Sequence, residues 1–195
     1  MTRRLYPWLW APAAALLAVP GLTGNSPSVL KVTVRESDRP VRNAVVWLDA
    51  PNAAKPAKEE RAVVDQRNMT FIPHVLAVRS GTRVDFPNND RVFHNVFSFR
   101  DGKPFDLRLY PTGTSRSSVF PKPGLCRLFC NIHPNMAAYI MVVDTPYFGV
   151  SDAAGETELK GVPAGTYPYH AWRPGGKELK GTVTLPAGQV LDIRW

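Results

Sequence analysis

Prolines recur along the whole of this chain, 19 in 195 residues, about twice the usual share of ~5%. Each one removes a backbone donor and fixes its own φ, so proline is expelled from helix interiors and accepted at turns and strand ends. Long helices are therefore not expected. The stretches between the breaks are short and rich in Val, Phe, Tyr and Leu: 30–35, 43–48, 61–65, 75–78, 83–86, 94–99, 105–110, 115–120, 125–130 and 138–143, then 147–150, 156–160, 166–172, 179–185 and 190–195. Gly, Pro, Asn or Asp bound them. Many short strands at close spacing predict an all-β sandwich or barrel. Ser37-Asp38-Arg39-Pro40 reads as a polar turn and residues 51–60 as a proline, alanine and charged linker.

The opening residues read as an address. Thr2-Arg3-Arg4 is positive, Leu5 to Val19 is apolar, and Pro20-Gly21-Leu22-Thr23-Gly24 is small and turn-forming. That order predicts a secretory signal peptide over residues 1–24. About 15 apolar residues, interrupted by Pro7 and Pro12, fall short of the ~20 that a spanning helix needs. The expectation is a periplasmic or otherwise exported protein with no membrane span after cleavage. The mature length suits one large domain or two small ones. A formal net charge of +8 is spread singly rather than in blocks. A nucleic-acid footprint would be a cluster on one face, so nucleic acid is not an expected partner; acidic docking surfaces are.

Two cysteines are present, Cys126 and Cys130. An exported pair is ordinarily a disulfide. Here both fall on one strand, which would hold their Cα atoms about 13 Å apart, beyond the ~7 Å limit for a bridge. A thiol kept reduced beside His133 and Met136 in the run Cys130-Asn131-Ile132-His133-Pro134-Asn135-Met136 points to a metal. Thiolate and thioether are soft and favour Cu(I), while imidazole serves Cu(I) and Cu(II) alike. The second imidazole that such a site needs is supplied by Phe93-His94-Asn95-Val96. The candidate ligands are His94, Cys130, His133 and Met136, around one copper ion. A buried thiol with incidental His and Met neighbours is the competing reading, and zinc is disfavoured because Met ligates it poorly. His74 reads as a loop or surface histidine, His170 lacks a partner motif, Met69 and Met141 read as core residues on strands, and Cys126 as a small buried apolar residue.

The segment from about 60 to 145 resembles the blue-copper, or cupredoxin, family. Met69-Thr70-Phe71-Ile72-Pro73, Val78, Gly81-Thr82, Val84, Phe86-Pro87-Asn88 and Asp90 look like the lead-in to its first ligand. His94-Asn95-Val96 matches the ligand strand, and Phe120, Pro123-Gly124 and Phe129-Cys130 match the strand that delivers the thiolate. The Cys-x2-His-x2-Met spacing is similar to that of amicyanin. The resemblance implies a Greek-key β-sandwich and a type 1 copper site that passes single electrons between a donor and an acceptor protein. It also implies that Asn95 ties the two ligand loops together. The alternative is a periplasmic copper carrier or sensor with no electron-transfer role; carriers often expose Met- and His-rich segments, and this chain has none.

Multicopper enzymes add coppers held by many histidines, whereas this chain has four histidines and no His-x-His pair. No hydrolase or phosphate-loop motif is present, so the chain is not expected to be an enzyme. The flanks resemble a different module. The run 36–48, Ser151-Asp152-Ala153-Ala154-Gly155 and Val162-Pro163-Ala164-Gly165-Thr166-Tyr167 look like parts of a carboxypeptidase-regulatory-like, transthyretin-like sandwich. The expected arrangement is a second small β-sandwich, discontinuous in sequence, made of 29–50 and 146–195, with the copper domain 60–145 inserted between. The other possibility gives residues 30–48 to the copper domain as edge strands.

Overall fold

The computed structural model describes residues 28–50, 58–99, 103–185 and 190–195; the signal-peptide stretch and most of the linker at 51–60 lie outside the described residues. Eighteen strands and no helix occur among them. β1 (Ser28–Glu36), β2 (Arg39–Pro40) and β3 (Val45–Leu48) come first. β4 (Arg61–Val63), β5 (Asp65–Arg67), β6 (Thr70–Ile72), β7 (Val75–Arg79), β8 (Thr82–Pro87) and β9 (His94–Ser98) follow. β10 (Phe105–Tyr110), β11 (Ser115–Phe120), β12 (Gly124–Phe129) and β13 (Ala137–Val143) complete the central part. β14 (Phe148–Val150), β15 (Glu156–Val162), β16 (Gly165–Trp172), β17 (Leu179–Leu185) and β18 (Val190–Arg194) close the chain. No helix among the described residues is long and apolar enough to cross a membrane.

The expected all-β architecture, a cupredoxin-like sandwich with a second β-sandwich beside it, is the one the structure has. The central strands form a five-stranded sheet in the order β10-β9-β12-β13-β7, facing a three-stranded sheet, β11-β8-β4. Between them lies a core that includes Val84, Phe86, Val96, Tyr110, Phe120, Leu128 and Ile140. The outer strands form β15-β1-β18, with β2 paired to β1, and β14-β3-β16-β17. Leu30, Val32, Val34, Val46, Leu48, Leu159, Ala171 and Ile193 fill the space between that pair. Strands from the two ends of the chain pair directly: Val32 lies beside Leu191 in the parallel β1–β18 ladder, and Val46 opposite Ala171 in β3–β16.

A third apolar layer joins the two sandwiches. Val45, Val75, Ala77, Met141 and Val143 are buried in it, with Trp47, Tyr139, Phe148 and Trp172 packed against them. The period-2 alternation of strand side chains accounts for this. On β13, Ala138, Ile140 and Val142 face the inner core, while Tyr139, Met141 and Val143 face the junction. On β3, Val46 and Leu48 face one way, Val45 and Trp47 the other. Strands buried on both faces read as unbroken apolar runs, which is what residues 137–143 and 45–48 show.

Two details differ from expectation. Met69 is exposed rather than in the core, at φ +53° in the turn between β5 and β6. Asn68 beside it is also left-handed, so the pair forms a two-residue hairpin turn with positive φ at both positions. The polar turn at Ser37 and Asp38 is likewise left-handed and folds the short β2 back on β1.

The Asp152 to Gly155 turn seals the second sandwich. Gly155 lies at φ +75°, and a Cβ there would stand 2.5 Å from the Val34 carbonyl oxygen. Gly155→Ala should therefore cost roughly 2–4 kcal/mol, combining left-handed strain with a backbone clash. Gly175→Ala, at φ +73° in open space, should cost only about 1–2 kcal/mol. Urea midpoints of the two variants test this; equal losses would show that close packing against β1 is not what requires the glycine.

Candidate metal centre

β9 begins at His94 and β12 ends one residue before Cys130, so two adjacent strands of one sheet deliver a ring and a sulfur to the same end of the sandwich. Core-facing residues alternate along β12, and Cys126, Leu128 and Cys130 all lie in the inner core. No disulfide links the two cysteines. Beyond Cys130 the chain turns back at once. The Cys130 amide donates to the Met136 carbonyl at 3.3 Å and the Met136 amide to the His133 carbonyl at 2.9 Å. Those two bonds close a tight loop that holds His133 near the sulfur.

The donor atoms converge. His94 Nδ1 and His133 Nδ1 are 3.1 Å apart, and Cys130 Sγ lies 4.0 Å from the first and 3.6 Å from the second. All three fall within 4.8 Å of one another, the one such group of metal-ligating side chains among the described residues. Metal–imidazole bonds of ~2.0 Å and a metal–thiolate bond of ~2.3 Å, set trigonally, put the nitrogens about 3.5 Å apart and sulfur about 3.7 Å from each. The observed triangle has those dimensions to within a few tenths of an ångström, so these residues fit a metal. Met136 is fully buried in the core cluster that holds Cys130.

The tautomer of His94 follows from its other nitrogen. Its Nε2 lies 2.9 Å from Asp90 Oδ2, and its side chain is 0% exposed. An ionised carboxylate only accepts, so Nε2 carries the proton and the lone pair of Nδ1 faces Cys130 and His133. A carboxylate behind a ligating imidazole fixes ring orientation and raises its basicity. Asp90 is itself fixed. Its carboxylate accepts the amides of Met69 at 2.6 Å and Arg91 at 2.7 Å, its own amide donates to Asn88 Oδ1, and Thr112 Oγ1 donates to its carbonyl. The Met69 amide bond leads the influences on it, burial opposes, and the pKa is lowered to about 2. In the sequence Asp90 stands in the lead-in as any turn aspartate would, and only the fold gives it this role.

Asn95 does not bridge the ligand loops. Its Nδ2 donates to Asp106 Oδ1 at 2.8 Å on β10, across a bulge between Asp106 and Leu109. The bulge adds a residue to β10 with Arg108 at φ +59°, and the Arg108 amide joins Asn95 on the same carboxylate oxygen. Asn95 Oδ1 is buried without a hydrogen-bond partner. His74 is exposed, donating Nδ1–H to the Ala137 carbonyl at 3.2 Å, and His170 sits in the second sandwich between Asp49 and Glu178. Met141 is buried at the junction between the sandwiches and Cys126 in the inner core, as expected.

In the metal-free protein the Asp90 carboxylate stabilises the fold above its ordinary pKa near 3.8, and that contribution is lost as pH falls through about 2. A shift of this size corresponds to about 2 kcal/mol. Asp90→Asn should thus be less stable than wild type by about that amount at neutral pH, with the gap closing toward pH 2. Urea unfolding across this range checks it, and a gap independent of pH would sink the assignment.

No family model matches this chain, and no curated protein matches it. Solved structures do. A purple cupredoxin from Nitrosopumilus maritimus is similar over 44% of this chain and 100% of its own, with 25% identity and a TM-score of 0.38. A Cu-containing nitrite reductase from Thermus scotoductus SA-01 is similar over 56% of this chain but 28% of its own, with 24% identity and a TM-score of 0.42. A reduced amicyanin variant is similar over 52% of this chain and 99% of its own, with 24% identity and a TM-score of 0.40.

Proposed function

We propose that this chain is an exported electron-transfer protein that holds one copper ion through His94, Cys130, His133 and Met136 and passes single electrons between protein partners. The observation that carries the reading is the convergence of two imidazoles and a thiolate from distant stretches into a triangle of metal-binding size. The donor chemistry narrows the metal. A thiolate with two imidazoles and a buried thioether suits copper cycling between Cu(I) and Cu(II), and Met136 would add its thioether to the donors that hold the ion. When bound, copper supplies the one-electron couple.

The protein residues do the rest. Asp90 orients His94 and fixes the proton of the neutral ring on Nε2, which turns Nδ1 toward the other donors. The tight loop from Cys130 to Met136 limits how far the donors move when the charge at the site changes, which keeps the cost of reorganisation low. His94 is sealed from water, whereas His133 is half-buried in a loop whose Ile132, Pro134 and Asn135 are exposed. The edge of His133 is therefore the natural exit for an electron. Exposed Phe93 and Ile132 offer apolar surface beside it, of the kind small transient redox encounters use. The net charge of +8 would steer acidic partners. No substrate-converting step is proposed for the chain. Export follows from the leader-like opening residues.

Copper(II) added to the purified protein should produce an intense thiolate-to-copper charge-transfer band and a narrow EPR hyperfine splitting. Cys130→Ser should abolish the band; Met136→Leu should retain it with a raised reduction potential. Absence of colour in the wild type would overturn the reading. Rapid surrender of Cu(I) to a competing chelator, without electron exchange with a redox protein, would replace it with a copper carrier.

A further inference from the structure

The junction between the sandwiches opens at one end into a cleft of about 850 Å³, the size of a small-molecule site. Leu125 and Met141 contribute apolar surface, and the indoles of Trp47 and Trp172 form part of its lining. Every charged side chain on the lining is a carboxylate, Asp49, Asp144 and Glu178, in a chain that is otherwise basic. Two of these are held in place before any ligand arrives. His170 Nε2 lies 3.0 Å from Asp49 Oδ2, and its Nδ1 lies 2.6 Å from Glu178 Oε1. The same ring stacks on Trp47, with centroids 4.9 Å apart and planes within 7°. Lys180 approaches Glu178 at 3.6 Å, and a ring that donates from both nitrogens is an imidazolium, so His170 and Lys180 together offset this pair of carboxylates, while Asp144 stands exposed in the turn after β13. Trp172 is braced from behind by Tyr139, with centroids 5.4 Å apart.

The geometry points to a binding site for a methylated ammonium cation, its methyl groups against the indoles and its charge facing the carboxylates. Indole faces and aliphatic side chains favour an apolar body, and indole is the best partner for a cation set over a ring. The carboxylates repel anions and would lose hydration to a neutral ligand without recompense. A quaternary ammonium group meets both demands, since it carries charge on an apolar surface and needs no hydrogen-bond acceptor. The site does not depend on a metal at His94, Cys130 and His133.

Choline and its neutral isostere 3,3-dimethylbutan-1-ol separate charge from shape. Titrated into the purified full chain and followed by the indole N–H signals of Trp47 and Trp172 in NMR, choline should give saturable shifts and the neutral alcohol should not. Trp172→Leu should weaken choline binding by roughly 2- to 5-fold or more, the worth of one cation–π contact. Asp144→Asn, on an exposed turn where folding is not at stake, should weaken it as well, and added sodium chloride should do the same. Equal binding of choline and the alcohol would overturn the proposal. So would shifts that never saturate, or choline binding unchanged in Asp144→Asn.

Discussion

The hydrogen bond between Asp90 and His94 is the constraint on which the site depends. His94 has no exposure to water, so both ring nitrogens must be satisfied inside the protein. The carboxylate takes one and leaves the other facing the Cys130 thiol and the second imidazole, whose Nδ1 lies 3.1 Å away. The Asn88–Asp90 turn is thus part of the site. It accepts backbone amides from Met69 and Arg91, is tied through Asn88 to Tyr110 at the end of β10, and so links the β5–β6 turn and β10 to one ring.

The sheets that carry this site are stacked, so no strand near it is free to adjust alone. β13 begins where the ligand loop ends, and its two faces are committed to two different apolar layers. A shift of one residue in its register would exchange every side chain between those layers. Parallel pairing to β7 on one edge and antiparallel pairing to β12 on the other hold it in place. The return path of the loop after Met136 is fixed accordingly, and with it the position of His133 relative to the sulfur.

Most of this was legible in the sequence because it rests on local signals. Turn residues and β-branched runs marked nearly every strand, and the Cys130–Met136 spacing with the distant His94 marked the donors. The parts that escaped depend on tertiary placement. Asp90 carries no local mark that distinguishes it from any turn aspartate; its role comes from a turn that directs the carboxylate back at a residue four later. Asn95 was assigned to the wrong neighbour because a bulge in β10, signalled only by the left-handed Arg108, brings Asp106 to it. The short β2, β5 and β6 were missed since two or three residues give no period to read. His170 looked unpartnered because Asp49 lies 121 positions away in sequence, and Glu178, eight positions on, meets it only once the β16–β17 turn is folded.

The same stacking explains why strands from the two ends of the chain belong in a description of the metal centre. The face of β13 opposite the core presents Tyr139, Met141 and Val143, and β7 adds Val75 and Ala77. Left bare, that surface would be a continuous apolar patch of the kind soluble monomers avoid. β3, β14 and β16 cover it. The cover reaches the ligand loop itself: Ala137, the residue after Met136, accepts a hydrogen bond from His74, whose ring stands edge-on to Tyr139 at 5.4 Å, and Tyr139 packs on Trp172 of the second sandwich. A tight loop alone cannot hold soft ligands rigid when its outgoing strand is free to twist. Here that strand is clamped between two layers, and the second sandwich supplies one of them.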